Sequence, residues 1–290
     1  MNKDLRIVFF GTPDFVIPVL ETLHQHFTVV GVVTTPDQKS GRKQLVTPTP
    51  VKQYCLEKNL DVSIIAENDN EKVKQQLEKL QPDLFVVAAY GKIIPIEILE
   101  IPKFGSINIH PSLLPQYRGA SPIQSAIFHG DKTSGVTIIK MDEQMDHGPI
   151  LYAKEIILGD EDNFDTLSIK MFQVAAEVLP TVINELVREK LQPIPQDDTK
   201  ATFCNHITKD QGFFDITNPP SPEKLDRMIR AYYPWPGVWT KLRIKNHELR
   251  IKLLPNNMIQ VEGKTPMSYK DFLNGYPEVA KEVKELLMNL

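Results

Sequence analysis

Short apolar runs alternating with segments of helical spacing constrain this chain more than any other feature. "LRIVFFG" ends in a glycine and leads into "TPDFVIPVLETLHQH", whose apolar residues recur at helical intervals. "FTVVGVVTT" is a second such run, "TPVKQYCLEKN" reads as a helix and "DVSII" as a strand. The polar helix "DNEKVKQQLEKL" then precedes the wholly apolar "DLFVVAAYG". Strands apolar on both faces, separated by helices, are the signature of a parallel sheet covered on both sides. The fold class predicted for residues 1–190 is therefore α/β, a doubly wound Rossmann-like domain. "NFDTLSIKMFQVAAEVLPTVINELVREK" closes it as a long helix or helix pair punctuated at Pro180.

Periodicity is lost in "LQPIPQDDTKATF", where Pro and Asp accumulate, so residues 191–204 read as an interdomain linker. Beyond it Ser221-Pro222-Glu223 suits the start of a helix running to about Tyr232. "GVWTKLRI", "ELRIKLL" and "MIQVE" are short strands, which makes residues 205–290 a smaller, mainly β domain resembling an incomplete barrel. Charge divides the same way. The formal net charge is −4, yet residues 205–290 hold 13 Lys+Arg against 10 Asp+Glu, leaving the acidic excess in the rest. A basic face on the second domain suits an anionic partner.

Within the first domain, "SINIHPSLLPQYRGASPIQSAI" places Asn108 and His110 two apart among isoleucines. Side chains alternate along a strand, so the two share a face, and Pro111 ends the strand where open α/β sheets bind ligands. Asn108 can donate to a developing oxyanion, and His110 can donate or move a proton near neutral pH. The plainer alternative is a polar pair that only caps a strand. "KMDEQMDHGPI" supplies Asp142 and Asp146, either of which is a turn residue or the carboxylate that orients His110. His110, His147 and the two aspartates lack metal-ligand spacing, and no metal is expected.

Other motifs are excluded more directly. "FFGTPDF" has one glycine, not the three of a dinucleotide fingerprint, and there is no phosphate-loop lysine or Gly-x-Ser-x-Gly turn. Cys55 and Cys204 stand far apart, outside any nucleophile motif, which fits a reducing compartment and a cytoplasmic protein. The opening apolar run is too short for a membrane span, and no other segment reads as one. The long basic loop "TTPDQKSGRKQLVTPTPVK" carries Lys39, Arg42, Lys43 and Lys52 against one acid and can grip a phosphate backbone. "YYPWPGVW" is read as an aromatic plug between helix and barrel, with base stacking as the alternative.

"FFGTPDF", "SINIHPSLLPQYRGASPIQSAI", "GVTIIKMDEQMDHGPIL" and "IRAYYPWPGVWT" occur in order at compatible distances. Together they resemble the formyltransferases that use 10-formyltetrahydrofolate, and within them the branch acting on methionyl-tRNA. The resemblance covers most of the chain and implies formyl transfer to the methionine amino group of initiator methionyl-tRNA; a monomer is expected. It assigns catalysis to Asn108, His110 and Asp146. It places folate against Ser112, Leu113, Leu114 and Pro115, with Val87, Ala89, Tyr90 and Gly91 lining the pterin pocket. It gives the tRNA acceptor end to Gly41, Arg42 and Lys43.

Two departures stand out: fewer consecutive cations in "GRKQLVTP", and a short second domain passing almost at once from "ELRIKLLPNN" to "MIQVEGKTPMSYKDFLNG". The shortening keeps open an amino sugar nucleotide as acceptor. Water as acceptor, giving a formyltetrahydrofolate hydrolase, and a catalytically silent RNA-binding module are the other rivals.

Overall fold

A computed structural model of the chain describes residues 3–40, 45–244 and 247–288. Its strands are β1 Arg6–Gly11, β2 Thr28–Val33, β3 Gln38–Ser40, β4 Leu45–Thr47, β5 Ser63–Ile65, β6 Leu84–Ala88, β7 Ser106–His110, β8 Arg118–Gly119, β9 Thr133–Lys140 and β10 Ile150–Ile157. After these come β11 Phe203–Cys204, β12 Val238–Ile244, β13 His247–Leu254, β14 Met258–Val261 and β15 Met267–Ser268. The helices are α1 Ile17–His26, α2 Pro50–Glu57, α3 Asn70–Leu80, α4 Ile96–Leu99, α5 Pro122–His129, α6 Phe164–Val187, α7 Pro222–Tyr232, α8 Tyr269–Gly275 and α9 Pro277–Met288.

The main sheet has seven strands in the order β10-β9-β7-β6-β1-β2-β5. β1 and β6 lie at its centre and pair in parallel, Ile7 opposite Leu84 and Phe10 opposite Val87. All five residues of β6 are buried, which is why that stretch lacks polar alternation. One face carries Phe10, Phe85 and Tyr90, with ring centroids 5.0 Å apart for Phe10–Phe85 and 5.4 Å for Phe10–Tyr90. Val73 and Leu77, four apart on α3, cover that core, and Asp69 caps the helix by accepting from the Glu71 and Lys72 amides. The sheet is mixed, because β9 runs antiparallel to β7, placing Asn108 opposite Ile139 and His110 opposite Thr137.

Pro180 does not divide α6, which continues through it. This helix is long and apolar enough to cross a membrane by length and composition, a correction to the expectation that no such segment exists. Half of its most apolar window is nevertheless buried in the fold, and Phe172 lies 5.3 Å from Phe15. Its buried residues Leu167, Met171, Ala175, Leu179 and Ile183 recur at four-residue intervals, the spacing of one helix face.

The chain divides into two compact units, each assembled from three segments. The first comprises Met1–Gly119, Ser134–Ile156 and Ser168–Phe203; the second comprises Ala120–Thr133, Ile157–Leu167 and Cys204–Leu290. The units interleave, whereas loss of periodicity suggested one boundary, with 1–190 and 205–290 on either side of a linker at 191–204. In the second unit β12, β13, β14 and β15 form an antiparallel meander in sequence order, followed by α8 and α9. Phe128 of α5 stacks on Tyr232 of α7 at 5.8 Å.

Candidate active site

β7 carries Asn108 and His110 toward its carboxyl end, and the structure brings Asp146 to both. Asn108 Nδ2 donates to Asp146 Oδ1 at 3.1 Å, and His110 Nδ1 lies 3.5 Å from Asp146 Oδ2. That second oxygen also accepts the Gly119 amide at 2.8 Å. His110 is 3% exposed, and its Nε2 is 2.9 Å from the Tyr117 carbonyl. A carbonyl only accepts, so Nε2 carries a proton, and the ring is turned with Nδ1 toward Asp146.

Unusual backbone conformations collect around these three side chains. Asp146, Tyr117 and Ala89 have φ of 52°, 58° and 44°, the left-handed region that residues with a Cβ rarely adopt. Each costs on the order of 1–3 kcal/mol and persists only where the surroundings hold it. Gly119 has φ 121°, open to glycine alone. Gly148 is also required, since a Cβ there would collide with the Lys140 carbonyl. The loop carrying Asp146 is therefore fixed by its backbone as well as by its side chains.

The stretch expected to bind folate is pinned to β9. Thr137 Oγ1 donates to the Ser112 carbonyl at 2.7 Å and accepts the Leu114 amide at 3.1 Å. The Ser112 hydroxyl is fully buried and donates to the Gln116 carbonyl at 2.6 Å, so it braces the turn. Leu114 is buried, Leu113 and Pro115 are half-buried, and the Leu114–Pro115 peptide is cis. Of the other expected folate residues, Val87 sits beside Asn108 in the β6–β7 register. The Tyr90 ring is buried in the core cluster, leaving only its backbone for a ligand, and its carbonyl accepts from Thr12 Oγ1 at 2.8 Å. Ala89 and Gly91 are exposed, and a Cβ at Gly91 would meet nothing within 4 Å. The exposed backbone at Ala89 and Gly91 thus follows directly on β6, the strand paired with the one that carries Asn108.

Asp142 belongs to a different cluster. Its Oδ2 lies 2.7 Å from His147 Nδ1, and this contact holds the imidazole in its charged form above the usual histidine range. His147 Nε2 is 3.6 Å from Asp198, which Arg118 contacts at 2.8 Å, holding that carboxyl below its ordinary range. Among the described residues no group of three or more His, Cys, Asp or Glu is arranged to hold a metal ion.

Sequence reasoning passed over the stretch after α6. Gln196 Nε2 donates to the carbonyls of Asp146 and Gly148, both at 2.8 Å. Thr202 Oγ1 accepts the Tyr117 amide at 2.8 Å, and the Thr202 carbonyl accepts the Arg118 amide at 2.8 Å. These bonds tie the expected linker to the site's own turns. Its only sequence signal was a Gln among prolines, because side-chain-to-backbone bonds impose no period.

Gly41, Arg42 and Lys43 lie outside the described residues. The residues on either side of them form the antiparallel pair β3 and β4, within the stretch read from sequence as one long loop. "YYPWPGVW" divides in two. Tyr232 is buried at 5% exposure, as a plug would be, whereas Trp235 is 59% exposed. Nearby in the second unit, the Arg250 guanidinium sits 4.0 Å over the Trp239 ring, and Phe213 lies 4.8 Å from that ring. Burial, then the neighbouring charges of Arg250 and Lys209, hold Lys252 below the usual lysine range.

The sequence profile described as formyl transferase matches residues 5–183. A methionyl-tRNA formyltransferase from Caldicellulosiruptor saccharolyticus is 38% identical over 94% of this chain and 97% of its own. One from Nitratiruptor sp. is 42% identical over 90% of this chain and 84% of its own. Among solved structures, a 4-N formyltransferase from Francisella tularensis superposes with TM-score 0.66 at 19% identity, covering 88% of this chain and 99% of that one. The methionyl-tRNA formyltransferase of Clostridium thermocellum gives 0.57 at 20% identity, covering 89% and 97%. At such identities the structural likeness speaks to fold alone.

Proposed function

Because this chain belongs to the formyl transferase family, we propose that it moves the formyl group of 10-formyltetrahydrofolate onto the methionine amino group of initiator methionyl-tRNA. The observation that carries the chemistry is the convergence of Asn108, His110 and Asp146 at the end of β7. The acceptor rests on 38% and 42% identity to methionyl-tRNA formyltransferases over most of the chain. The exposed backbone of Ala89 and Gly91, following the strand that pairs with β7, offers hydrogen-bonding groups to a flat pterin, and Thr137 locks the turn of Ser112 and Leu114.

The donor supplies an electrophilic formyl carbon. Asn108 has two amide hydrogens; Asp146 engages one, and the other is available to the formyl oxygen as charge develops on it. Asp146 fixes the orientation of that amide. As the amine nitrogen bonds the formyl carbon, His110, anchored through Nε2, accepts its proton at Nδ1, and the resulting imidazolium is stabilised by the Asp146 carboxylate 3.5 Å away; collapse of the oxyanion then breaks the carbon–N10 bond, and Nδ1 returns the proton to N10 of tetrahydrofolate. An uncharged, positioned amine is already nucleophilic, so no covalent enzyme intermediate is required.

For the tRNA, the proposal assigns the acceptor end to Gly41, Arg42 and Lys43 and a second contact to the face around Trp239. Exposed Trp235 and Phe213, together with Arg250 and Lys252, combine stacking surfaces with cations, the pairing that single-stranded or splayed bases require. The proposal also has the enzyme acting as a cytoplasmic monomer, and the two free buried thiols suit a reducing compartment.

The deciding experiment supplies purified protein and 10-formyltetrahydrofolate with charged initiator tRNA, with an amino sugar nucleotide, or with no acceptor. Formylmethionyl-tRNA is the expected product. Formylation of the sugar alone would transfer the assignment to that branch, and formate release at full rate without acceptor would make the protein a hydrolase.

A further inference from the structure

We propose that Gln196 is a positioning residue for formyl transfer, holding Asp146 in register with Asn108 and His110. The proposal rests on the reading of Asp146 as catalytic. Three observations converge on the Gln196 amide. Its Nε2 directs both hydrogens into the Asp146 loop, at the carbonyls of Asp146 and Gly148. Its Oε1 accepts from Arg118 Nε at 3.0 Å and Nη2 at 2.9 Å. Arg118 is itself 4% exposed, so the far end of the bridge is anchored.

The bonds close a ring. Arg118 is followed in sequence by Gly119, whose amide donates to Asp146 Oδ2. Asp146 is thus gripped twice from one side, at its carboxylate by Gly119 and at its carbonyl by Gln196. Its left-handed backbone, φ 52°, is unfavourable on its own. Two bonds of 2.8 Å to carbonyls on either side of His147 are what hold such a turn against relaxation. Only an amide suits the position. Reversing it would set its oxygen against two carbonyls and its nitrogen against two guanidinium donors, and a glutamate would lose both donors and face the same carbonyls.

The test is a double-mutant cycle on the full chain, reading kcat and KM for both substrates. Gln196→Ala should lower kcat by about 10- to 100-fold, the scale expected when a reacting group is misplaced, with each KM within about twofold. In an Asp146→Ala background, read by single-turnover kinetics, the same substitution should change the rate by less than about twofold. Gln196→Met keeps the length of the side chain and Gln196→Glu keeps its shape; both should reproduce the loss, and they carry the test if the alanine variant does not fold. Unchanged kcat in the Gln196 variants, or an equal loss in both backgrounds, overturns the proposal. Near-normal activity of Asp146→Ala alone would instead overturn the reading of the site.

Discussion

The end of β7 and the Trp239 face of the second unit offer two ways of holding a substrate. At β7 the polar atoms are buried or half-buried and bonded to one another, and three nearby residues keep left-handed backbones. Around Trp239 the side chains are partly exposed, and the principal contact is a guanidinium laid over a ring at 4.0 Å. The first arrangement is costly to assemble and tolerates little displacement. The second forms from side chains with solvent access and is screened by salt. Reaction chemistry demands the former, and adhesion to a flexible polyanion is served by the latter.

That contrast is most exposed to attack at the catalytic end. Asn108→Ala should reduce kcat by about 10²–10³, the usual consequence of losing one oxyanion donor, while tRNA affinity stays put. A parallel drop in affinity would show that the two regions are not separable. Gly148→Ala drives a Cβ into the Lys140 carbonyl and should displace the Asp146 loop, with a loss approaching about 10²-fold in kcat. Near-normal turnover in that variant would show the loop to be adaptable.

The adhesive region should respond in the opposite sense. Trp235→Ala should weaken tRNA binding by about 1–3 kcal/mol, the range for one lost base stack, with kcat unchanged at saturating tRNA. Arg250→Gln should also flatten the salt dependence, lowering the slope of log affinity against log salt by about 0.7–0.9. Binding indifferent to both changes would remove the Trp239 face from the tRNA surface.

The smallest effect concerns His147. Asp142 raises its folded-state value above the ordinary 6.5, so its stabilising contribution is complete below about pH 6.5 and disappears as pH climbs through the folded value. The pair is partly solvated, and the expected fall in Tm between pH 6 and 8 is no more than about 2 °C. His147→Gln should abolish that slope; a slope that survives belongs to another group.

How much of this was legible in the sequence follows from what leaves a period behind. Burial on both faces of β6 and four-residue spacing on α6 print directly as apolar patterns. The pairing of Asn108 with His110 followed from strand alternation. Alternation could not choose between Asp142 and Asp146, because a turn has no repeat; the family resemblance selected Asp146, and in the structure Asp142 faces His147 instead. Gln196, Thr202 and the Gly119 amide were invisible for the same reason. Their partners lie tens of residues away and are backbone groups, which every residue possesses. The exposed Trp235 was missed by treating "YYPWPGVW" as one body, although its aromatic rings divide between core and surface.

The interleaving of the two units has a consequence for any break in the backbone. α5 precedes the 191–200 stretch and α7 follows it, yet Phe128 and Tyr232 share one core. A protease cutting at Pro193 or Pro195 would leave each fragment with part of that core. The nicked protein should migrate as one particle under native conditions and fall into two pieces only in denaturant. Neither piece made alone should fold the second unit, whereas the two co-expressed should reconstitute it.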